Sequence, residues 1–298
     1  MKDNKKKILI LGSTGMLGSE VLKVFSDSTN YKIYTNIRNY SLKKLFRINN
    51  LSKITFFKFD AQKDSLNKLK KYVTKDTIIV NCIGIIKPHI NENVQESVLN
   101  AIQINSSFPH KLNLKYLKNK IYQIATDCVF SGKKGLYNEI DSHDAEDVYG
   151  KSKSLGEVNN KNFYNIRTSI IGKELNSSKS LYEWFASQKR DSKINGFKNH
   201  LWNGLTTKAF AKVLISIIEN NIKIPNNIHI MPQNLISKFE MLNLFKRICK
   251  KEIVIKGVNA EIKVNRTLST NYPKLVKRIW EGTTYKKIPK VEEIILSI

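Results

Sequence analysis

The chain has 298 residues, 41% of them hydrophobic, which suffices for one large α/β unit or two modest domains. No apolar run approaches the length of a membrane-spanning helix, so we predict a cytoplasmic protein with no membrane partner. Cys82, Cys128 and Cys249 lie far apart without paired spacing, and the five histidines are scattered. This pattern fits a reducing compartment and argues against a disulfide framework or a metal site.

The formal net charge of +26 allows two interpretations. One is a nucleic-acid-binding surface. The other is a compositional bias, because lysine is spread through every segment and no helix-turn-helix, zinc-finger or RNA-binding signature accompanies the charge. We favour the second interpretation and predict no nucleic-acid partner. A positive surface would also attract anionic ligands such as nucleotide diphosphates.

Strand and helix signals alternate along the first half of the chain. Short apolar strands are predicted over residues 7–11, 31–37, 54–59, 77–83, 120–125 and 164–169. Helices are predicted over residues 17–25, 66–73, 93–114 and 149–158. Such βαβ alternation with apolar strands predicts an α/β fold with a doubly wound parallel sheet, covered by helices on both faces.

The pattern loosens after Gly172. Helices are predicted over 181–189, 208–219 and 237–250 and a strand over 227–231, whereas the basic end of the chain is predicted to be irregular. We expect a dinucleotide-binding Rossmann domain over residues 1–172, to which about residues 204–232 return. Residues 173–203 and 233–298 are expected to form a smaller substrate-binding lobe.

Three glycines, Gly12, Gly15 and Gly18, directly follow the first predicted strand and precede a helix. The first permits a tight turn, the second lets the backbone approach a pyrophosphate, and the third allows close packing of the helix on the sheet. The N-terminus of the helix favours a negatively charged phosphate. The spacing G-x-x-G-x-x-G therefore predicts a nicotinamide dinucleotide site. Its expected lining also includes Thr14, Met16 and Leu17.

Residues after the next three strands refine the cofactor prediction. Arg38 stands where an acidic residue would bind the ribose of NAD, and a basic side chain there accepts the 2′-phosphate of NADP. We therefore predict NADP, with NAD as the alternative if Arg38 is only a solvated charge. Asp60 is expected either to meet the adenine or to cap a helix. Cys82 and Gly84 end the fourth strand, where Gly84 would leave room for the nicotinamide ribose.

A tyrosine, a lysine and a threonine form the predicted catalytic set. Tyr149 and Lys153 are four residues apart and share one face of a helix, so that the lysine can lower the pKa of the phenol. Thr126, at the end of the fifth strand, would donate a hydrogen bond to the substrate oxygen. Lys153 would also hold the nicotinamide ribose. Asn105, in the long helix, either adds to this site or lies on the helix surface.

These residues resemble those of the extended short-chain dehydrogenase/reductases, and most of all the dTDP-4-dehydrorhamnose reductase (RmlD-like) branch of sugar-nucleotide enzymes. The matching segments are GSTGMLGSE, NCIGIIKP, INSSFPHKL, ATDCVFSGKKGLYNE, DAEDVYGKSKSLGE, RTSIIG and NHLWNGLTT, and residues 265–269 resemble a later motif. The resemblance implies a doubly wound fold, a nicotinamide cofactor and a nucleotide-sugar substrate. It also assigns catalytic roles to Thr126, Tyr149 and Lys153.

The resemblance suggests a substrate pocket lined by Asp127, Val129 and Phe130. The chain departs from the pattern at Cys128, where the rhamnose branch usually has tyrosine. Sugar-nucleotide 4,6-dehydratases place Asp-Glu after the catalytic threonine and need that Glu as a base. Because Cys128 follows Asp127 here, the chain lacks the base for elimination, whereas ketone reduction does not require it.

Arg266, Trp202 and Arg167 are further candidates for binding the nucleotide part of the substrate. Arginine matches phosphate bidentately, and tryptophan can stack on a base. The alternatives are a structural arginine–carboxylate pair and a tryptophan that belongs to the core.

Three hypotheses for the function follow. The first is an NADPH-dependent reductase of a 4-keto-6-deoxy sugar nucleotide, which makes a deoxyhexose for surface polysaccharide. The second is a sugar-nucleotide epimerase with tightly bound NAD. The third is a non-catalytic, cofactor-sensing subunit of a larger enzyme, because a fold does not guarantee a function. The sequence does not distinguish dTDP, UDP and GDP, and a homodimer is compatible with each hypothesis.

Overall fold

The main sheet has seven parallel strands, in agreement with the predicted parallel sheet. The structure is a computed structural model that describes residues 5–48, 51–175 and 178–298. Its strands are β1 (Lys6–Leu11), β2 (Tyr31–Ile37), β3 (Ile54–Lys58), β4 (Ile78–Asn81), β5 (Ile121–Thr126), β6 (Phe163–Thr168), β7 (Ile170–Ile171), β8 (Lys193–Phe197), β9 (His200–Trp202), β10 (Leu205–Thr206), β11 (Asn227–His229), β12 (Ile236–Ser237), β13 (Val254–Val258) and β14 (Val264–Asn265). The α/β fold class is confirmed.

The strand order of the main sheet is β11-β6-β5-β4-β1-β2-β3. The chain adds strands outward from β1 to β3 and then returns to place β4 on the other side of β1. In register, Leu11 at the end of β1 lies opposite Asn81 at the end of β4. This is a topological switch point, and ligands of open α/β sheets bind in the crevice at the carboxyl ends of such strands.

The helices are α1 (Met16–Ser26), α2 (Gln95–Ala101), α3 (Phe108–Lys115), α4 (Val148–Leu155), α5 (Leu181–Ser187), α6 (Thr207–Glu219), α7 (Lys238–Cys249), α8 (Pro273–Glu281) and α9 (Val291–Ile295). The predicted helix over 66–73 is a 3₁₀ helix, Leu66–Lys71. The predicted long helix over 93–114 consists of α2 and α3 joined by a π-helical segment, Ile102–Ser107. Such π segments are rare and are frequent at functional sites.

The end of the chain is not irregular, and that prediction was wrong. It contains β13, β14, α8 and α9. In α8, Val276, Ile279 and Trp280 follow the i, i+3, i+4 spacing of one helix face and are buried, and Pro273 occupies the first turn, where it is tolerated. The basic residues of this region alternate with that apolar face, so a charge-dominated composition concealed the helical pattern.

The chain divides into two compact units. The first unit contains the described residues up to Ala125, with 146–166 and 224–227, and the second contains 126–145, 228–298 and the described part of 167–223. The first core is built from main-sheet strands and α3, and the second includes residues of α5, α7 and α9. The proposed assignment of a cofactor domain and a substrate lobe stays a prediction, and residues 1–4, 49–50 and 176–177, which it includes, lie outside the described residues.

In the part of the chain that the structure describes, no helix is long and apolar enough to cross a membrane.

Candidate active site

Close backbone packing requires glycine at two positions of the loop after β1. Gly12 has a φ of +85°, and a Cβ there would lie 2.9 Å from the carbonyl carbon of Cys82 and from the amide nitrogen of Ile83. At Gly18, in α1, a Cβ would lie 2.1 Å from the carbonyl oxygen of Gly12. The fold therefore requires glycine at position 12 for the tight turn and at position 18 for the close packing of the helix, as the sequence predicts.

Gly15 is different because the fold itself leaves room for a side chain. Its φ is −80°, and the nearest atom to a Cβ would be the Gly12 carbonyl oxygen at 3.4 Å. It is the N-cap of α1, which has no side-chain cap and no acidic residue in its first turn. Uncapped amide groups and the positive end of the helix dipole fit a diphosphate. Of the neighbouring residues, Thr14 and Met16 are half-buried and Leu17 is buried.

Asn36, for which the sequence predicts no role, connects the glycine loop to the sheet. Its side-chain oxygen accepts a hydrogen bond from the Gly12 amide at 2.8 Å, and its side-chain nitrogen donates to the Phe59 carbonyl at 2.9 Å. The Ser13 hydroxyl donates to the Asn36 carbonyl at 3.2 Å. The partners are more than twenty residues apart in the chain, so no local pattern pointed to this contact.

Arg38 and Asp60 follow the neighbouring strands β2 and β3, which pair as Ile37 with Lys58. The Arg38 side chain is exposed, as a 2′-phosphate ligand would require. A carboxylate oxygen of Asp60 accepts a hydrogen bond from the Gln62 amide at 3.0 Å. Asp60 thus caps a turn, and its contact with adenine stays a prediction.

Helix α4 carries Tyr149 and Lys153 and begins with a strong cap. The Asp147 carboxylate accepts from the Gly150 amide at 2.7 Å, and its other oxygen pairs with the Lys87 ammonium at 2.8 Å. Tyr149 lies in the first turn and is half-buried, whereas Lys153 is buried. The cap fixes where the helix starts and therefore which face presents both side chains.

The Lys153 ammonium donates a hydrogen bond of 2.8 Å to the carbonyl oxygen of Ile124 on β5. Burial lowers the pKa of Lys153 to about 8, although the charge of Glu157 opposes this. A Cβ at Gly84 would lie 3.9 Å from the ammonium, so the glycine keeps the space beside Lys153 open. Burial raises the pKa of the Cys82 thiol to about 12, and the thiol stays protonated. The structure thus brings together Cys82, Gly84 and Lys153, all of the first unit.

Asn105 is buried in the π-helical segment, so the alternative of a helix-surface residue is excluded. Its side-chain oxygen accepts from the Ile85 amide at 2.8 Å, and its side-chain nitrogen donates to the Ile85 carbonyl at 2.9 Å and to the Ser152 hydroxyl at 3.0 Å. The Ser152 hydroxyl in turn donates to the Tyr149 carbonyl at 2.9 Å. Asn105 therefore joins the loop after β4 to helix α4.

The second unit contains Thr126 and Asp127. The Thr126 hydroxyl donates to the Asp127 carboxylate at 3.2 Å and accepts from the Cys128 amide at 3.2 Å. Asp127 is buried, and desolvation raises the pKa of its carboxyl group, although Arg266 and a hydrogen bond from Ser169 oppose the shift. The predicted donation from Thr126 to a substrate oxygen stays a prediction, and it requires the hydroxyl to turn from Asp127.

Other predicted substrate residues lie mainly in the interior of the second unit. Val129 and Phe130 are fully buried, and the Phe130 ring stacks on Tyr137 with centroids 4.3 Å apart. Arg167 is buried, and its guanidinium contacts His229 at 2.9 Å. Trp202 belongs to the hydrophobic core. Their roles toward a substrate stay predictions.

The described features define the class of protein. A switch-point glycine loop and a Tyr-x-x-x-Lys helix on a seven-stranded parallel sheet identify an extended short-chain dehydrogenase/reductase. The chain belongs to the RmlD substrate-binding-domain family, whose model matches residues 6–295.

Comparison with known proteins places the chain among related folds. It is 28% identical over 156 residues to methionine adenosyltransferase 2 subunit beta of Danio rerio, a match that covers 51% of this chain and only 42% of that protein. A dTDP-4-dehydrorhamnose reductase from Bacillus anthracis, solved with NADP, has a TM-score of 0.70 and 18% identity over 98% of this chain and 97% of the other. A UDP-glucuronic acid 4-epimerase from Bacillus cereus, solved with NAD, has a TM-score of 0.73 and 17% identity over 97% and 96%.

Proposed function

We propose that the protein is an NADPH-preferring reductase of a 4-keto-6-deoxy sugar nucleotide, like the dTDP-4-dehydrorhamnose reductases of similar fold. The observation that carries this proposal is the setting of Lys153. A buried ammonium, one helical turn from Tyr149, is hydrogen-bonded to Ile124, and Thr126 follows two residues later on the same strand. Membership of the RmlD substrate-binding-domain family supports it.

Tyr149 acts as the general acid in this proposal. A phenol has an ordinary pKa near 10 and needs stabilisation of its anion to exchange a proton at neutral pH. The Lys153 charge supplies that stabilisation in a desolvated setting, where an electrostatic interaction is stronger than in water. Thr126 holds the ketone oxygen by a hydrogen bond, and Tyr149 delivers the proton to it.

The first unit fits the cofactor that the family implies. The uncapped start of α1 would hold the diphosphate, and Gly84 and Lys153 would border the nicotinamide ribose. When bound, the nicotinamide supplies the hydride for the ketone carbon. Arg38 would recognise a 2′-phosphate, which motivates the preference for NADPH over NADH. Solved neighbours of the fold hold NADP in one case and NAD in another.

The proposed product is a deoxyhexose nucleotide for surface polysaccharide, made in the cytoplasm. Reduction rather than elimination is favoured because Cys128 stands where a dehydratase needs its carboxylate base. The Cys128 thiol and its amide lie beside Asp127 and Thr126, respectively, so this position belongs to the immediate surroundings of the catalytic threonine.

The test is NADPH oxidation by the purified chain. Each of the dTDP-, UDP- and GDP-linked 4-keto-6-deoxy sugars is generated in situ by a dehydratase, and the loss of NADPH absorbance is followed. Turnover with one of them, abolished in Tyr149→Phe, supports the reductase and identifies its nucleotide. Bound NADPH without turnover on any of them contradicts it.

A second candidate is a non-catalytic, cofactor-binding subunit. The similarity to methionine adenosyltransferase 2 subunit beta favours it, although this chain spans less than half of that protein. NADPH binding without turnover would direct the search to a catalytic partner. An epimerase is the third candidate, and it predicts purified protein that already carries NAD and consumes no external NADPH.

A further inference from the structure

A small sheet of the second unit places two basic residues near each other. Its strand order is β12-β9-β14, and Ser237 of β12 and Asn265 of β14 both lie opposite Leu201 of the middle strand. Lys238 directly follows β12, and Arg266 directly follows β14. Strands are spaced about 4.8 Å apart, so the two chain positions start roughly 10 Å apart, and their long side chains can reach one ligand group.

Lys238 stands in an electrostatically unfavourable place. It is the first residue of α7, where the helix dipole disfavours a cation, and it is half-buried. The carboxylate of Glu240 does not neutralise it by an ion pair, because that group caps the helix through Ser237, with contacts of 2.7 and 2.8 Å. Burial and the charge of Arg266 both lower the pKa of Lys238.

Arg266 is oriented by a hydrogen bond to the segment that follows β5. Its Nε donates to the Phe130 carbonyl at 2.8 Å. His200, on the middle strand, donates a hydrogen bond from its Nε2 to the Ile262 carbonyl at 3.0 Å. Burial and the charges of Lys238 and Arg266 lower the pKa of His200, so it is neutral near pH 7. The group formed by Lys238, Arg266 and His200 therefore contains two positively charged side chains, those of Lys238 and Arg266.

Asp127 is a carboxylate whose charge acts on both cations, and the neighbouring Cys128 side chain acts on Lys238 as well. Its carboxylate is already engaged by the hydroxyls of Thr126 and Ser169. Two cations and one carboxylate leave a net positive charge in a partly desolvated place, which an incoming anion would neutralise.

We propose that Lys238 is a further substrate-binding residue that, together with Arg266, binds a phosphate group of a nucleoside diphosphate. The inference deepens the proposed function, because a nucleotide-sugar substrate supplies that diphosphate, but the binding step is independent of the reduction. Nothing in the sequence distinguished Lys238, since the chain contains 51 lysine and arginine residues.

The experiment measures binding calorimetrically for uridine, thymidine and guanosine and for UDP, dTDP and GDP. The variants are Lys238→Met, which keeps the length of the side chain and removes the charge, and Lys238→Arg, which keeps the charge. Lys256→Met, at an exposed position of β13 in the same unit, controls for the loss of one positive charge. Thermal melting of each variant confirms that it is folded.

One diphosphate should bind the unaltered protein more tightly than its nucleoside does. Lys238→Met should weaken the binding of that diphosphate by about tenfold or more, which is the contribution of one charged hydrogen bond. The dissociation constant of the nucleoside should stay within about twofold. Lys238→Arg and Lys256→Met should retain most of the affinity. Equal weakening by Lys238→Met and Lys256→Met, or no preference of the unaltered protein for any diphosphate, overturns the proposal. If diphosphate binding depends on Lys238 while keto-sugar reduction is absent, the inference stands and the proposed reductase fails.

Discussion

The Lys153 ammonium is hydrogen-bonded to the Ile124 carbonyl at 2.8 Å, which holds a positive charge inside the first unit. Burial lowers the pKa of this lysine to about 8. Keeping this buried side chain charged destabilises the fold. A destabilising charge next to Gly84 and one helical turn from Tyr149 is typical of a functional site and not of a stabilising core.

Lys153→Met should stabilise the fold while it abolishes turnover. The unfolded lysine keeps its ordinary pKa of 10.5 and the folded one has about 8. The unfolded chain thus binds more protons than the folded one between these pH values. The destabilisation of the fold by the buried charge is therefore fully present below pH 8 and is relieved as the pH rises to 10.5. The pKa shift corresponds to a destabilisation of the folded protein by roughly 3 kcal/mol. Removal of the lysine relieves this, but about 1 kcal/mol of the gain is lost because the Ile124 carbonyl then has no hydrogen-bond partner.

Urea unfolding at pH 7 should therefore show a free energy of unfolding about 1–2 kcal/mol higher in Lys153→Met than in the unaltered chain. The difference should shrink when the comparison is repeated at pH 9.5. A variant that is less stable at pH 7 would contradict the assignment of Lys153 as a buried, strained charge.

Tyr149→Phe should remove the proton donor and leave the cofactor site intact. We expect kcat to fall by roughly 10²–10⁴-fold, the usual contribution of a general acid. The NADPH dissociation constant should stay within about twofold, because the hydroxyl contributes at most one weak hydrogen bond to the bound cofactor. Stopped-flow reduction with NADPH fluorescence measures both quantities on the same sample. An unchanged kcat would exclude Tyr149 as the acid.

Local sequence patterns were sufficient for the sheet and for the glycine loop, because strand alternation and the spacing of Gly12, Gly15 and Gly18 are properties of short segments. Contacts between distant segments were not predictable in this way. Asn36 bridges Gly12 and Phe59, and each of those partners is more than twenty residues away. The end of the chain was misjudged because its charge concealed the buried face of α8.

Gly15→Ala and Gly12→Ala should separate cofactor binding from folding. Gly15 has a negative φ and the nearest atom to a Cβ would be 3.4 Å away, so alanine should lower the melting temperature only slightly, through a weaker N-cap. The substitution should weaken the binding of NADPH by about tenfold or more, because the methyl group would fill the space in which the pyrophosphate contacts the backbone.

Gly12→Ala should instead destabilise the fold itself. The backbone there has a φ of +85°, and the new methyl would lie 2.9 Å from the Cys82 carbonyl carbon. A loss of about 1–3 kcal/mol or more is expected from strain alone. Thermal melting of both variants without cofactor, followed by NADPH titration, makes the comparison. Equal losses of stability would refute the separate roles of the two glycines.

Arg38→Ala should change the choice of cofactor without changing the reaction. The side chain is exposed at the end of β2, and loss of a charged hydrogen bond to the 2′-phosphate costs a factor of roughly 10–100 in NADPH affinity. NADH carries no such phosphate, so its KM should stay within about twofold. Arg47→Ala serves as a control for general loss of positive charge in the same unit. If KM rises equally for both cofactors, Arg38 does not read the 2′-phosphate.

Asn105→Ala should damage both stability and turnover, because one side chain satisfies three polar groups. The amide and carbonyl of Ile85 would lose their partner, and the buried Ser152 hydroxyl would lose the hydrogen bond that it accepts. Unsatisfied buried groups cost about 1–3 kcal/mol each, so we expect a loss of roughly 2–4 kcal/mol after relaxation. Asn100→Ala, on the adjoining helix α2 with an exposed hydrogen bond to Gln62, should cost less than about 1 kcal/mol.

The loss of Asn105 should also lower kcat, because its contact with Ser152 holds the helix that presents Tyr149 and Lys153. A purely structural role would lower the melting temperature and leave kcat of the folded fraction unchanged. Measuring kcat at a temperature well below the melting transition, with the fraction of folded protein determined by circular dichroism, distinguishes the two. An unchanged kcat in Asn105→Ala, with a higher KM for the cofactor only, would show that the helix position does not depend on this side chain.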